Sequence, residues 1–291
     1  MCNWKPDRKT APLVSNLLTL NSPGFSALYL LLISFVLLVS HPLIAQATPT
    51  PRAIVNKANL ASFYPGNDGR SDARMTITDS QGRVQRRQFT LLRRNISNSG
   101  DQDMMIFFSR PADVRGTVFR VAKHLSTDDD RWIYLPGLDL VKRISAGDKR
   151  TSFVGSHFFY EDVSGRNPDL DNFSLVEQTE AHWLIEATPK QQEGVEFSRY
   201  QVWINKASHL PVKVDFYDHG DSLYRRLEVL KVETVDGFPT AMTSRMSDLN
   251  SNANTLLEFR FAAYNLGLPK DIFGERSLRT PPRQYLKRPE R

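Results

Sequence analysis

Residues 103–109 read DMMIFFS, and this stretch decides the architecture. In a strand, successive side chains point to opposite faces. Met104, Ile106 and Phe108 then share one face, and Met105 and Phe107 share the other. A sheet with one wet face alternates apolar with polar residues. PVKVDFYD at 211–218 does so, with Val212, Val214 and Phe216 opposite Lys213, Asp215 and Tyr217. DMMIFFS does not, so it needs cover on both faces. RWIYLP at 131–136 sets Trp132 and Tyr134 opposite Ile133 and Leu135, and HWLIEA at 182–187 repeats the effect.

Working outward, short strand-like runs fill the chain from Ala73 to Tyr264, bounded by Gly, Pro, Asn, Asp and Ser. PGLD at 136–139 and VDGFP at 235–239 read as turns. This predicts a mainly β protein built on a meandering antiparallel sheet. A sheet of about ten or more strands must curl rather than stay flat. The two-faced strands then call for an internal helix or an apolar cavity. Two segments could cover them. One is a short helix, PRAIVNKANLASFYPG, with Pro51 in its first turn and a stop at Pro65–Gly66. The other is FVGSHFFYEDVSGR at 153–166.

The ends have their own character. Lys5, Arg8 and Lys9 precede an uncharged apolar run at 25–39, followed by Ala45-Gln46-Ala47. A basic start, a short apolar core and an A-x-A site describe a cleavable signal peptide over 1–47, and predict export. The last residues, 279–291, are basic and Pro-rich and predict a loose tail after a domain spanning 48–278. Cys2 is the only cysteine. Past residue 47 there is no thiol for a disulfide, a nucleophile or a metal. The net charge is +6, with basic residues scattered. That gives no basic stripe for nucleic acid, but allows transient contact with anionic lipid headgroups.

The 153–166 segment is also the richest in chemistry. His157 and Glu161 are four apart and would share a helix face. They make one pair, whereas catalytic zinc needs three protein ligands. Ser156 adjoins His157, but the G-x-S-x-G elbow is absent. The aspartates at 128–130 read as a solvated turn, and NPDLDN at 167–172 lacks the glycine and glutamate of a calcium loop. The segment reads best as a plug, with Phe153, Phe158, Phe159 and Tyr160 pressed into the sheet. Glu161 and Asp162 would then accept from backbone amides or pair with Arg143 or Arg166. No cofactor is called for.

FSRPADVRGTVFRV (108–121), DRWIYLPGLDLVKRIS (130–145) and FVGSHFFYEDVSGR occur in that order. With LPVKVDFYD (210–218) and LPKDIFGERSL (268–278), they resemble outer-membrane lipoprotein-sorting proteins, the LolA-like group that includes a treponemal lipoprotein domain. The resemblance implies an unclosed antiparallel β-barrel with a short helical lid over an apolar cavity. It also implies a periplasmic carrier of lipids or lipoprotein acyl chains, working toward the outer membrane and not catalysing a reaction. Cavity-wall candidates are Met104, Ile106, Phe108, Phe119, Trp132, Tyr134, Phe158, Tyr160, Trp183, Trp203 and Phe259. The group is often linked with inner-membrane RND/MMPL-type exporters, so one of these is a candidate partner. The alternatives are an accessory subunit of such an exporter that holds no cargo, and a lipid hydrolase using Ser156 or His157.

Overall fold

β-branched and aromatic residues recurring between turn residues favour strands. In the computed structural model, which describes residues 48–96 and 100–288, they form thirteen. These are β1 (Asp68–Thr78), β2 (Val84–Asn95), β3 (Gln102–Arg110), β4 (Val118–Lys123), β5 (Asp130–Leu135), β6 (Leu140–Ile144) and β7 (Asp171–Gln178). They continue with β8 (His182–Pro189), β9 (Arg199–Asn205), β10 (Pro211–Tyr217), β11 (Leu223–Val235), β12 (Phe238–Asp248) and β13 (Ala253–Tyr264). The predicted signal segment at 1–47 lies outside the described residues. Among the described residues, no helix is long and apolar enough to cross a membrane.

All thirteen strands belong to one antiparallel sheet. Each pairs with its sequence neighbours, and β1 also pairs with β13. The exception is β6 and β7, which are consecutive in the chain yet form the two edges of the sheet. The barrel is therefore not closed. The connector at 145–170 must cross from one edge to the other, and it carries the 153–166 segment. The β11–β12 hairpin turns at Asp236 and Gly237, both in the left-handed region with φ of 48° and 85°. This is the backbone a two-residue hairpin turn requires.

The two-faced reading of β3 holds, since residues 102–108 are buried without a break. Met104, Ile106 and Phe108 pack on the inner face with Phe89, Phe119 and Ile133. Met105 and Phe107 pack on the outer face with Leu92 and Val118. The outer cover comes from neither predicted segment. It is the chain after β13, through Leu268, Ile272, Phe273 and Leu278. The tail expected to be loose continues this layer. Tyr285 and Leu286 pack against it, and Arg70 Nη2 donates to the Leu286 carbonyl at 2.8 Å.

Both predicted cover segments lie on the inner face, one in each half of the sheet. Helix α1 (Pro51–Phe63) starts at Thr50, whose hydroxyl accepts from the Ala53 amide, with Pro51 in the first turn. Its Ile54 and Ala58 join Ile185, Val202, Ile204, Val214 and Phe216 of β8–β10. The connector's Phe153, Phe158 and Tyr160 join the β1–β5 half. Phe153 is the hub there, with ring centroids 5.4 Å from Phe119, 5.5 Å from Tyr160, 5.8 Å from Phe108 and 6.4 Å from Phe89.

Candidate apolar binding cavity

The two inner plugs do not fill the curl. Between them, side chains leave a cavity of about 390 Å³, within the range of ligand pockets. Helix α1 contributes Val55, Ala58, Asn59 and Ser62. The connector contributes Arg150, Phe153, Phe158, Asp162, Val163 and Arg166, and the sheet contributes Met75, Phe89, Leu91, Met104, Ile106, Phe216, Leu227, Met246, Leu257 and Phe259. The wall is thus mainly aliphatic and aromatic.

The sequence candidates divide by strand parity. Met104, Ile106, Phe158 and Phe259 line the cavity. Phe108, Phe119 and Tyr160 face the same way but sit in the packed core behind it. Trp183 shares the inner face with Ile185, at the rim of the second cluster, stacked on His209 at 6.0 Å. Trp132 and Tyr134 are corrected. They lie on the outer face against the C-terminal layer, because β5 turns Ile133 inward. Trp203 is also on the outer face of its strand. Val202 and Ile204 point in, and the Lys213 ammonium sits 3.9 Å from the Trp203 ring centroid.

A buried ion network holds the connector down. Helix α2 (Tyr160–Ser164) begins where the Asp162 carboxylate accepts from the Phe159 amide at 2.6 Å. Asp162 also takes Arg225, which donates to the His157 carbonyl as well. Glu161 is met by Arg150 at 2.5 Å and Arg166 at 3.2 Å, with Lys149 at 3.7 Å. Arg150 also grips Glu196, and Arg166 grips Asp171. Burial alone would push the Glu161 carboxyl up. Arg166, Arg150 and Lys149 outweigh it and hold the group below the usual carboxylate range. Arg166 was one expected partner. Arg143 was the other, but it pairs with Asp130 instead. Arg150, the main partner, escaped sequence reading because its second acid, Glu196, lies 46 residues further along.

The helix α2 terminus is tight. Gly165 has φ of 83°, and a Cβ there would meet the Phe63 ring at 2.9 Å. Both residues of the hydrolase alternative have partners within the fold. Ser156 Oγ is engaged with the Phe158 backbone, and His157 Nδ1 lies 2.8 Å from Thr255 Oγ1. Of the three aspartates, Asp129 is not solvated. It is buried in an ion pair with Arg131 at 2.6 Å.

Apart from the connector's Arg150, Asp162 and Arg166, the wall carries a charged group at Arg93. Arg93, Gly69 and Tyr264 are cross-strand neighbours on β2, β1 and β13. Gly69 leaves room there, since a Cβ would meet the Tyr264 ring at 2.8 Å. Arg93 therefore reaches over that ring, 5.5 Å from its centroid. Its Nη1 donates to the Phe63 carbonyl at 2.9 Å, and its Nη2 donates to the Pro65 carbonyl.

A family model described only as that of an uncharacterized protein matches residues 100–280. Among solved structures, a DUF1329 family protein from Desulfovibrio piger is similar at 29% identity and a TM-score of 0.71. The match covers 79% of this chain and 100% of that one. A domain from Vibrio parahaemolyticus, described as an outer-membrane lipoprotein-sorting protein, is similar at 26% identity and a TM-score of 0.72. It covers 79% and 98%. A LolA superfamily protein from Nitrosomonas europaea shares the fold at 17% identity and a TM-score of 0.61, covering 79% and 99%. No curated protein matches the chain. The connector and its ion network thus lie within the residues the family model matches, and the chain belongs to that family, with the unclosed barrel of the LolA-like lipoprotein-sorting proteins.

Proposed function

We propose that the protein is a periplasmic carrier of lipids or of lipoprotein acyl chains, and not an enzyme. The observation that carries this reading is the apolar cavity between helix α1 and the connector. A protein that needed only a scaffold would fill that space, because packed interiors leave few voids larger than a water molecule. Burying an acyl chain contributes about 0.8 kcal/mol per methylene. A sixteen-carbon chain would gain on the order of 10 kcal/mol before ordering costs. Release then needs an opening. The connector is the natural moving part, because it is joined to the sheet edges at both ends and held by ion pairs that can exchange for water.

A carrier also needs a donor. An inner-membrane RND/MMPL-type exporter fits that place, with transient contact at the membrane surface during loading and delivery. The reading is tested by titrating the purified protein with a fluorescent fatty acid. Saturable binding, displaced by unlabelled fatty acid, is expected. Failure to take up the probe at any concentration below its aggregation limit would reject the carrier role and favour the accessory-subunit alternative.

A further inference from the structure

Arg93 differs from the other buried arginines of this site; Lys123, whose ammonium also donates only to carbonyls, those of Ser164 and Gly165, does not line the cavity. It is 6% exposed, yet its partners are the Phe63 and Pro65 carbonyls and the Asn95 side-chain oxygen at 3.3 Å. No carboxylate pairs with it among the described residues. Asp68 is the acid whose field reaches it, but both Asp68 oxygens accept backbone amides, from Leu266 at 2.6 Å and Leu268 at 2.8 Å. Arg150, Arg166 and Arg225 each hold at least one acid. A buried charge with only neutral partners is costly, and burial lowers Arg93 to about 10. This cation lines the cavity, at the end where Ser71, Thr240 and Tyr264 gather. A guanidinium offers five N–H donors, and the three bonds to carbonyl and amide oxygens leave donors over.

We infer that Arg93 is an anchor for an anionic group, and that the cavity takes single-chain amphiphiles carrying a carboxylate or phosphate. The acid end sits against Arg93, with Ser71 and Thr240 at hand. The acyl chain runs toward Met75, Phe89 and Met246, away from Arg93. This inference rests on the carrier reading and specifies its ligand class.

The test compares ligands of one chain length by calorimetry: palmitate, hexadecyl phosphate and hexadecanol. The intact protein should bind one or both anions at least about tenfold more tightly than the alcohol, the lower end of what a hydrogen bond to a charged group contributes. Preference for palmitate alone or hexadecyl phosphate alone tells a carboxylate ligand from a phosphate one. In Arg93→Gln the preference should vanish while hexadecanol still binds, and Arg93→Lys should restore part of it. Equal binding of all three ligands by the intact protein would overturn the anchor and leave the carrier standing. Binding of none would overturn both. Arg150 and Arg166 also line the cavity, so if Arg93→Gln fails to fold, Arg93→Lys decides, and a preference equal to that of the intact protein would overturn the anchor.

Discussion

Arg150 and Glu161 face each other across the connector, Nη1 to Oε2 at 2.5 Å, and both side chains are almost wholly buried. The same guanidinium reaches out of the connector to Glu196, Nε to Oε2 at 2.6 Å, before β9. One arginine thus folds the connector and fastens it to the other half of the sheet.

Removing one member of a buried ion pair leaves the other uncompensated and costs about 3–5 kcal/mol. Glu161→Gln is expected to fall in that range, because Arg150, Arg166 and Lys149 all converge on it. Urea melts measure the loss. An effect below about 0.5 kcal/mol, the level of an exposed pair, would mean that the network does not hold the connector.

Acid should loosen the connector. The carboxyls of Glu161 and Glu196 are both held below their usual value, as arginine contacts outweigh the upward push of burial. A group with a lowered folded-state pKa contributes stability above its unfolded value, about 4.3 for Glu. That stability is lost as pH falls through the folded value. Melting temperature followed from neutral pH downward should drop below about pH 4.3, and Glu161→Gln should show a shallower acid limb than the parent. Parallel acid limbs would contradict this.

Among the connector's side chains, the aromatics should matter more than the histidine. Phe153 is 1% exposed and touches four other rings. Phe153→Ala is expected to cost about 3–5 kcal/mol. His157 is half-buried, with one side-chain bond, to Thr255, and His157→Ala should cost about 1 kcal/mol. Chemical denaturation of the two variants ranks them, and the reverse order would contradict the plug.

Gly165 closes helix α2 at a positive φ against the Phe63 ring. Gly165→Ala adds backbone strain of about 1–3 kcal/mol and pushes the connector away from helix α1. Hydrogen exchange should therefore rise at the amides of 160–166 and 60–63 together. A rise in one segment alone would show that the two plugs are not coupled there.

Much of this was legible in the sequence, because strand parity is a local rule. DMMIFFS announced two covered faces, and helix α1 and the connector were both identifiable as inner cover. What stayed hidden was non-local. Nothing near Trp132 says which side of a two-faced strand turns inward, since that depends on where the C-terminal layer lands, and Trp203 faces outward because Val202 and Ile204 pack against helix α1. Leu268 and Phe273 cover β3 and β4 only because β13 returns beside β1. Arg150 reads as one charge among many until the register brings Glu196 beside it. Arg93 sits in a run of two arginines, and only the gap at Gly69 shows that it turns inward over Tyr264.

The central claim is that the cavity carries acyl lipid. Native mass spectrometry of the protein, purified from the cell envelope without detergent, tests it most directly. The account predicts a population heavier by the mass of an acyl lipid, which organic extraction returns to the bare chain and identifies. A single lipid-free mass, from protein that also fails to take up a fluorescent fatty acid, would contradict it.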